Sequence, residues 1–566
     1  MKIRLLSFVL ALLWVVPTSV TAQTGRTPAP ARKGMVTSSH YLASEVGNEI
    51  LQQGGNAIDA AVATAFALSV TLPSAGNIGG GGFIVYHGAD GTTTSFNFRE
   101  KAPAAATETM YLDSRGNIRN NSNHEGALAI GVPGTVAGLE MAHKRLGSMP
   151  WRQLVEPAVR LAEDGFPSTW AMQGFLKGLQ KRPDLYPSTT RAFLKPGNQL
   201  YEPGETFKQP NLAESLKRIR DQGRDGFYKG KTARLIADFM RANDGLITEA
   251  DLAAYQAVEQ PLIHGTYRGY DVYAMAPPSS GGVAIVEMLN ILEGYDLKAM
   301  GHNSAQYLHV LTEAMRRAYA DRARYIGDPA FNPDMPIDRL TSKAYADELR
   351  QSISLTTASV SDPDLFNEAY ESEETTHVSI VDAAGNAVSL TYTLEYSYGS
   401  SMVVDGAGFL LNNEMGDFNP VPGKTTATGQ IGTPPNLVAP GKRMLSSMTP
   451  TIVAKDGKPV LVIGTPGGRT IINTVLQVVL NVIDHGMDVG QAIEASRIHH
   501  QWLPDETIFE RWGISPDTRA LYEAMGHSVV ERSDMGRVMG VYIDYKEEMI
   551  YGAADSRSFD GRAVGH

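Results

Sequence analysis

Four segments of this chain read as β-hairpins, and their uneven spacing constrains the fold more than any other feature. Each pairs two strand-like runs around a turn: 83–99 around Ala89-Asp90-Gly91, 376–394 around Ala384-Gly385-Asn386, 451–463 around Lys455-Asp456-Gly457, and 538–552 around Lys546-Glu547-Glu548. Long helix-like stretches separate them, notably Pro133 to Leu146, Trp151 to Asp164, Ser304 to Tyr325 and Ile472 to Asp484. Hairpins alternating with long helices imply antiparallel sheets covered by helical layers. One hairpin lies near the start and the others follow residue 375, so a single core has to recruit distant parts of the chain. The reading is an α+β fold in one interwoven domain, although 566 residues would permit several cores.

The chain contains no cysteine, which removes disulfides, thiolate metal sites and cysteine nucleophiles together. Covalent chemistry therefore falls to oxygen or nitrogen. His499-His500 and the scattered remaining histidines show no metal-ligand spacing, so neither metal nor cofactor is expected. With 43% hydrophobic and 20% charged residues the composition is globular, and a net charge of −11 disfavours a general nucleic-acid binder. Lys2 and Arg4 precede an apolar run from Leu5 to Val16, and Val20-Thr21-Ala22 presents small residues before Gln23. Residues 1–22 thus read as a signal peptide, and the protein as periplasmic or secreted. No apolar run reaches the roughly 18 residues of a membrane span, so no stable membrane anchor is expected.

Near the start, Val46, Ile50 and Leu51 share a helical face, and an alanine-rich helix is expected from Ala57 to Val70, ended by Pro73. Gly79 to Gly82 then precede the strand-like Phe83-Ile84-Val85-Tyr86 without the Lys-Ser/Thr ending of a phosphate loop, so a tight bend beside a site is the better reading. The most informative junction comes later. An acidic stretch from Asp362 to Glu374 reads as an exposed loop and runs directly into Thr375-Thr376-His377 at the start of the second hairpin.

A threonine hydroxyl needs a base within hydrogen-bond reach to act as a nucleophile. Cutting the Glu374–Thr375 bond would give Thr375 a free α-amine of pKa roughly 7.7–8.0, placing nucleophile and base on one residue. The same hydroxyl could make the cut by attacking its own preceding carbonyl. The alternative is that Thr375, Thr376, Ser379 and Thr391 are ordinary strand residues. His377 shares a strand face with Thr375, but the terminal amine makes a histidine base unnecessary, and a structural role is expected for it. Elsewhere, Gly467 and Gly468 could offer amides to an oxyanion, Ser446-Ser447 hydroxyl donors, Arg99 a bidentate grip on a carboxylate, and the segment Asn412 to Phe418 acids for an ammonium group.

Together these segments resemble the γ-glutamyltranspeptidase family of N-terminal-nucleophile hydrolases. The resemblance is carried by Thr375-Thr376-His377-Val378-Ser379, Gly385-Asn386-Ala387-Val388 through Thr393, Leu410-Leu411-Asn412-Asn413-Glu414-Met415, Leu445-Ser446-Ser447-Met448, Gly464-Thr465-Pro466-Gly467-Gly468, Gly79 to Phe83 and Phe98-Arg99-Glu100. It implies a four-layer αββα sandwich and a precursor that cuts itself into a large subunit, 23–374, and a small one, 375–566. By resemblance Thr375 attacks γ-glutamyl amides such as glutathione, Thr393 orients it, and Gly467 and Gly468 hold the oxyanion. Arg99, Ser446 and Ser447 would take the glutamyl α-carboxylate, and Asp417, Glu414 and Glu395 the α-amino group, before release to water or to an amino-acid or peptide acceptor.

Two departures stand out. Many members carry Asn where this chain has Glu395, and the position of an aromatic pocket cover in some bacterial relatives aligns with Thr428, inside the Gly423 to Gly441 segment. A missing cover would shift the balance toward hydrolysis or altered acceptor choice. The rival readings are a glutaryl or cephalosporin acylase of the same fold, which would not require the acids Glu414 and Asp417, and an unprocessed periplasmic binding protein.

Overall fold

All four expected hairpins form, and each joins a larger sheet. The computed structural model describes residues 26–182, 185–362, 374–424, 426–427 and 432–566; the acidic stretch before Glu374, the leader and Thr428 lie mostly or wholly outside them. In chain order the principal strands are β1 (Ala29–Ala31), β2 (Met35–Ser38), β3 (Gly81–His87), β4 (Thr93–Asn97), β5 (Val258–Gln260), β6 (Ile263–Tyr267), β7 (Tyr270–Ala274), β8 (Glu374–Val381), β9 (Ala387–Glu395), β10 (Thr451–Lys455), β11 (Lys458–Gly464), β12 (Met539–Asp544), β13 (Met549–Ala554) and β14 (Arg562–Gly565). They build two seven-stranded sheets, ordered β14-β2-β8-β9-β3-β4-β5 and β1-β13-β12-β11-β10-β7-β6. Pairing within both is antiparallel.

The helices that cover them are α1 (Tyr41–Gln52), α2 (Ala57–Thr71), α3 (Thr135–Leu146), α4 (Trp151–Asp164), α5 (Trp170–Gln180), α6 (Gly281–Leu292), α7 (Ala305–Tyr325) and α8 (Thr470–Ile483). α1, α2 and α3 pack on the first sheet, and α6 and α8 on the second, giving an αββα sandwich. The interweaving is literal: β2 is flanked by β8 and β14, so residues from both ends and the middle of the chain lie side by side.

Residue type explains each layer. α2 is buried along its whole length, and its alanines let it approach the sheet closely; Asn56 and Asp59 close a capping box at its start. Val378 and Ile380 of β8, with Val388 and Leu390 of β9, meet α2 in one apolar core. Phe83 and Val85 of β3 point the other way, to Val453, Leu461 and Ile463 of the second sheet. Alternation therefore puts His377 and Ser379 between the sheets, where Ser379 Oγ donates to the Met539 carbonyl at 3.0 Å.

The strands β5 to β7 escape a reading by alternation. In β6 the position that should be apolar is Gly265, whose missing side chain admits Val286 of α6; a Cβ there would stand 2.6 Å from Val286 Cγ1. Helix-to-sheet contact at that point needs a glycine, and the glycine erases the strand's hydrophobic period.

Candidate active site

Thr375 is the second residue of β8, at a bulge where pairing with β9 shifts between Glu374 and Thr376. Bulges re-aim single side chains, and here Thr375 is only 7% exposed, with its Oγ1 donating to Thr393 Oγ1 at 3.5 Å. Thr393 Oγ1 also accepts from the Glu395 amide at 2.8 Å. Thr376 points the opposite way and donates to Ser39 Oγ at 3.1 Å.

The glycine run sets the height of Thr393. A Cβ at Gly80 would fall 2.0 Å from the Thr393 carbonyl oxygen, so only glycine lets this backbone in. Asn77 completes the clamp, its Nδ2 donating to that carbonyl at 2.9 Å while its Oδ1 accepts from Gly80 N.

His377 works in the layer between the sheets. Its ring nitrogens bond Thr391 Oγ1 at 2.7 Å and Ser379 Oγ at 2.9 Å, and burial pushes its pKa down to about 3. A neutral ring bonded at both nitrogens away from Thr375 orders the inter-sheet layer.

Arg99 follows β4 and is fully buried. Its Nη1 donates to Glu414 and its Nη2 to Asp417, while Nη2 also donates to the Leu445 carbonyl at 3.0 Å. Glu100 lies 3.6 Å away. Glu395 closes β9 in the left-handed region, with φ at 78°, and its Oε1 sits 3.2 Å from His124 Nδ1. Burial pushes Glu100 up to about 8 and Glu414 well above the ordinary carboxylate range, with Arg99 pulling both the other way. Burial lowers the pKa of His124, with Asp417 and Glu125 pulling the other way, and four acids, Glu100, Glu395, Glu414 and Asp417, gather around the one guanidinium of Arg99. Such a concentration of buried carboxylate favours a bound cation.

Ser446 and Ser447 belong to the same lining as Arg99. Arg322 of α7 donates to Ser447 Oγ at 2.9 Å and to Ser280 Oγ at 2.8 Å, while the Ser446 carbonyl accepts from Ser280 N at 2.8 Å. Gly467 and Gly468 form the turn into α8 with φ values of 137° and 54°, conformations that favour glycine, and the helix N-terminus behind them adds positive potential.

These groups converge on one tight cavity of about 20 Å³. Thr375, Thr393, Glu395, Arg99, Glu414, Asp417, Ser446, Ser447 and Gly468 line it; Gly467 borders a separate space with Pro466 and Gly536. Sequence reasoning did not single out His124, Arg322 or Asn77. His124 lies in an irregular loop and Arg322 in a helix with several arginines, so neither carries a local signal. The sequence left open whether Arg99 grips a carboxylate ligand or pairs with Glu100 or a distant acid; in the uncut chain it bonds the distant acids Glu414 and Asp417. Among the described residues no helix is long and apolar enough to cross a membrane.

Two stacked antiparallel sheets between helical layers are the architecture of the N-terminal-nucleophile hydrolases, and solved structures of that class superimpose on this chain. A cephalosporin acylase from Bacillus halodurans matches with a TM-score of 0.84 at 26% identity, covering 97% of this chain and 99% of its own. The chain belongs to the gamma-glutamyltranspeptidase family, whose model matches residues 43–565. It is 48% identical over 543 residues to a glutathione hydrolase proenzyme of Escherichia coli (strain K12), covering 95% of this chain and 93% of the relative. A gamma-glutamyltranspeptidase chain from Helicobacter pylori matches at 43% identity with a TM-score of 0.56, covering 60% of this chain and 95% of its own length.

Proposed function

We propose that this chain is a γ-glutamyltransferase and glutathione hydrolase that matures by cutting its own Glu374–Thr375 bond. The observation that carries the reading is the hydroxyl pair Thr375–Thr393 set in a cavity with a buried guanidinium and an excess of buried carboxylate. Two fragments result, 23–374 and 375–566; that the Helicobacter pylori chain spans only 60% of this one supports such a division.

In the mature site the Thr375 α-amine takes the proton of Oγ1 as the oxygen attacks the γ-carbonyl carbon of the donor. In the uncut chain Thr393 Oγ1 accepts a hydrogen bond from the Thr375 hydroxyl; once that proton moves to the α-amine, the Thr393 hydroxyl holds the attacking oxygen by donating to it instead. Charge gathers on the former carbonyl oxygen, which the Gly467 and Gly468 amides stabilise; one such donor contributes about 10²–10³ in rate. Collapse expels the amine, which takes the proton from the Thr375 α-amine, and leaves an ester between Oγ1 and the γ-glutamyl group. Water or a second amine then resolves the ester by the same route.

Donor entry exchanges ion pairs. The α-carboxylate takes guanidinium contacts of Arg99 together with the Ser446 and Ser447 hydroxyls, and the α-ammonium meets Glu414, Asp417 and Glu395. A glutaryl donor would bring the carboxylate side without an ammonium for these acids to meet, which is why a glutamyl donor fits better and separates this reading from the acylase. Export, with cleavage between Ala22 and Gln23, places the enzyme in the periplasm or outside the cell. Assaying purified protein with γ-glutamyl and glutaryl amides tests the assignment: faster release from the glutaryl amide would refute it.

A further inference from the structure

His124 enters neither the donor contacts nor the proton transfers above, yet the fold holds it against one of the acids. Its ring is buried, and Nδ1 stands 3.2 Å from Glu395 Oε1, at ion-pair distance, while no hydrogen bond is made at Nδ1 among the described residues. A buried ring nitrogen without an aligned partner calls for an explanation, and the Glu395 carboxylate is the polar group placed to engage it. The position of the ring is fixed by its surroundings. It stacks on Tyr396, the residue after Glu395, with centroids 5.1 Å apart and planes 4° from parallel. It also meets the turn Glu414–Asp417 at Gly416, where a Cβ would fall 2.2 Å from Nδ1, so glycine is what admits the ring there. Asn413 ties the backbones together: its Nδ2 donates to the His124 carbonyl at 3.2 Å, and its Oδ1 accepts from the Tyr396 amide at 3.0 Å. The histidine is thus locked to the turn that carries Glu414 and Asp417 and to the strand end that carries Thr393 and Glu395.

We propose that His124 is a positioning residue for donor choice: its Nδ1–H holds the Glu395 carboxylate ready for the donor's α-ammonium and keeps it off the Arg99 guanidinium. The inference rests on the functional reading above. A proton sits on Nδ1 in the imidazolium and in one of the two neutral tautomers, so the ring can donate to Glu395 in either charge state. The need for a holder follows from the charges that share the cavity. Arg99 is engaged by Glu414, Asp417 and the Leu445 carbonyl, and Glu395 lines the same cavity. When the donor's α-carboxylate takes over the guanidinium, an unheld carboxylate is drawn to the same cation and competes with the donor. Held by His124, Glu395 meets the ammonium instead, in a charge-assisted contact that a glutaryl donor cannot make. Stacking and the Asn413 bridge give the imidazole the rigidity that such a supporting group requires.

The test uses processed enzyme with L-γ-glutamyl-p-nitroanilide and glutaryl-p-nitroanilide as donors. In His124→Leu the expected result is a KM for the glutamyl donor raised about tenfold with kcat within about twofold, and a glutamyl-over-glutaryl preference in kcat/KM reduced about tenfold. His124→Asn, whose amide reaches the place of Nδ1, should bring both quantities back to within about threefold of wild type, and His124→Gln, whose amide reaches the place of Nε2, should not. In a Glu395→Gln background His124→Leu should change either quantity by less than about twofold, because the carboxylate it holds is gone. If His124→Leu fails to fold, His124→Gln takes its place in the same cycle. Wild-type KM and preference in the folded variant would overturn the positioning role, as would a loss that multiplies in full with that of Glu395→Gln, or a fall in kcat at unchanged KM. A wild-type chain that releases no nitroaniline from the glutamyl donor overturns the functional reading itself, and the role of His124 with it.

Discussion

The Thr375 hydroxyl donates to the Thr393 hydroxyl across 3.5 Å, joining the start of β8 to the end of its hairpin partner β9. Since Thr393 Oγ1 also accepts from the Glu395 amide, it is fixed from two directions. Thr393→Val, close in shape but unable to accept, is expected to lower kcat by about 10²-fold with KM for the donor little changed, because the lost contact positions the attacking oxygen. Thr393→Ser should recover most of the rate. Equal losses in the two variants, measured in steady-state kinetics, would contradict the orienting role.

Arg99 makes the second case. Arg99→Lys keeps the charge but loses the planar fork that reaches Glu414, Asp417 and the Leu445 carbonyl. Removing that fork strands carboxylates in the interior, a cost of about 3–5 kcal/mol when no partner remains. We expect kcat/KM to fall at least about 10²-fold in Arg99→Lys, chiefly through KM, and Arg99→Ala to unfold at lower temperature than Arg99→Lys. Calorimetry alongside kinetics checks both.

Glu414→Gln and Glu395→Gln remove negative charge while keeping size. If these acids answer the donor's α-ammonium, both variants lose discrimination between γ-glutamyl and glutaryl amides, by about ten- to a hundredfold for a buried charge contact. Discrimination at the wild-type level would remove that role.

Much of this was legible beforehand, and the exceptions share a physical cause. The four hairpins and the bounds of α4 follow from local period and turn chemistry, which act over a few residues. α8 starts at Thr470, ahead of the expected Ile472, because Arg469 already has helical dihedrals at its cap. β6 is hidden by Gly265. The site residues were recognisable as motifs, yet the pairing of Arg99 with Glu414 bridges 315 positions. Nor did any local pattern tie His124 to Glu395, or Arg322 to Ser447. Long-range charge pairing is written in the assembled fold and in no window of the sequence.

Glu287 of α6 gives a pH dependence unrelated to the site. Burial pushes its carboxyl well above the ordinary range, with nearby Asp321 of α7 adding to the shift, and burial also raises Asp321, which accepts from Tyr345 OH at 2.6 Å. Raised values mean that the folded state binds protons the unfolded chain would release. This stabilisation is complete below the unfolded carboxylate pKa of about 4 and is lost as pH rises through the raised values. Melting temperature should therefore fall less steeply with rising pH in Glu287→Gln, which keeps a donor and cannot titrate. Identical slopes in the two proteins would refute the protonated pair.

The central claim is most directly measured by intact mass and N-terminal sequencing of purified wild-type protein beside Thr375→Ala. The account predicts two wild-type fragments, the smaller running from an unblocked Thr375 to His566, and a single uncut polypeptide for the alanine variant. A fully active wild-type preparation consisting of one undivided chain would contradict it.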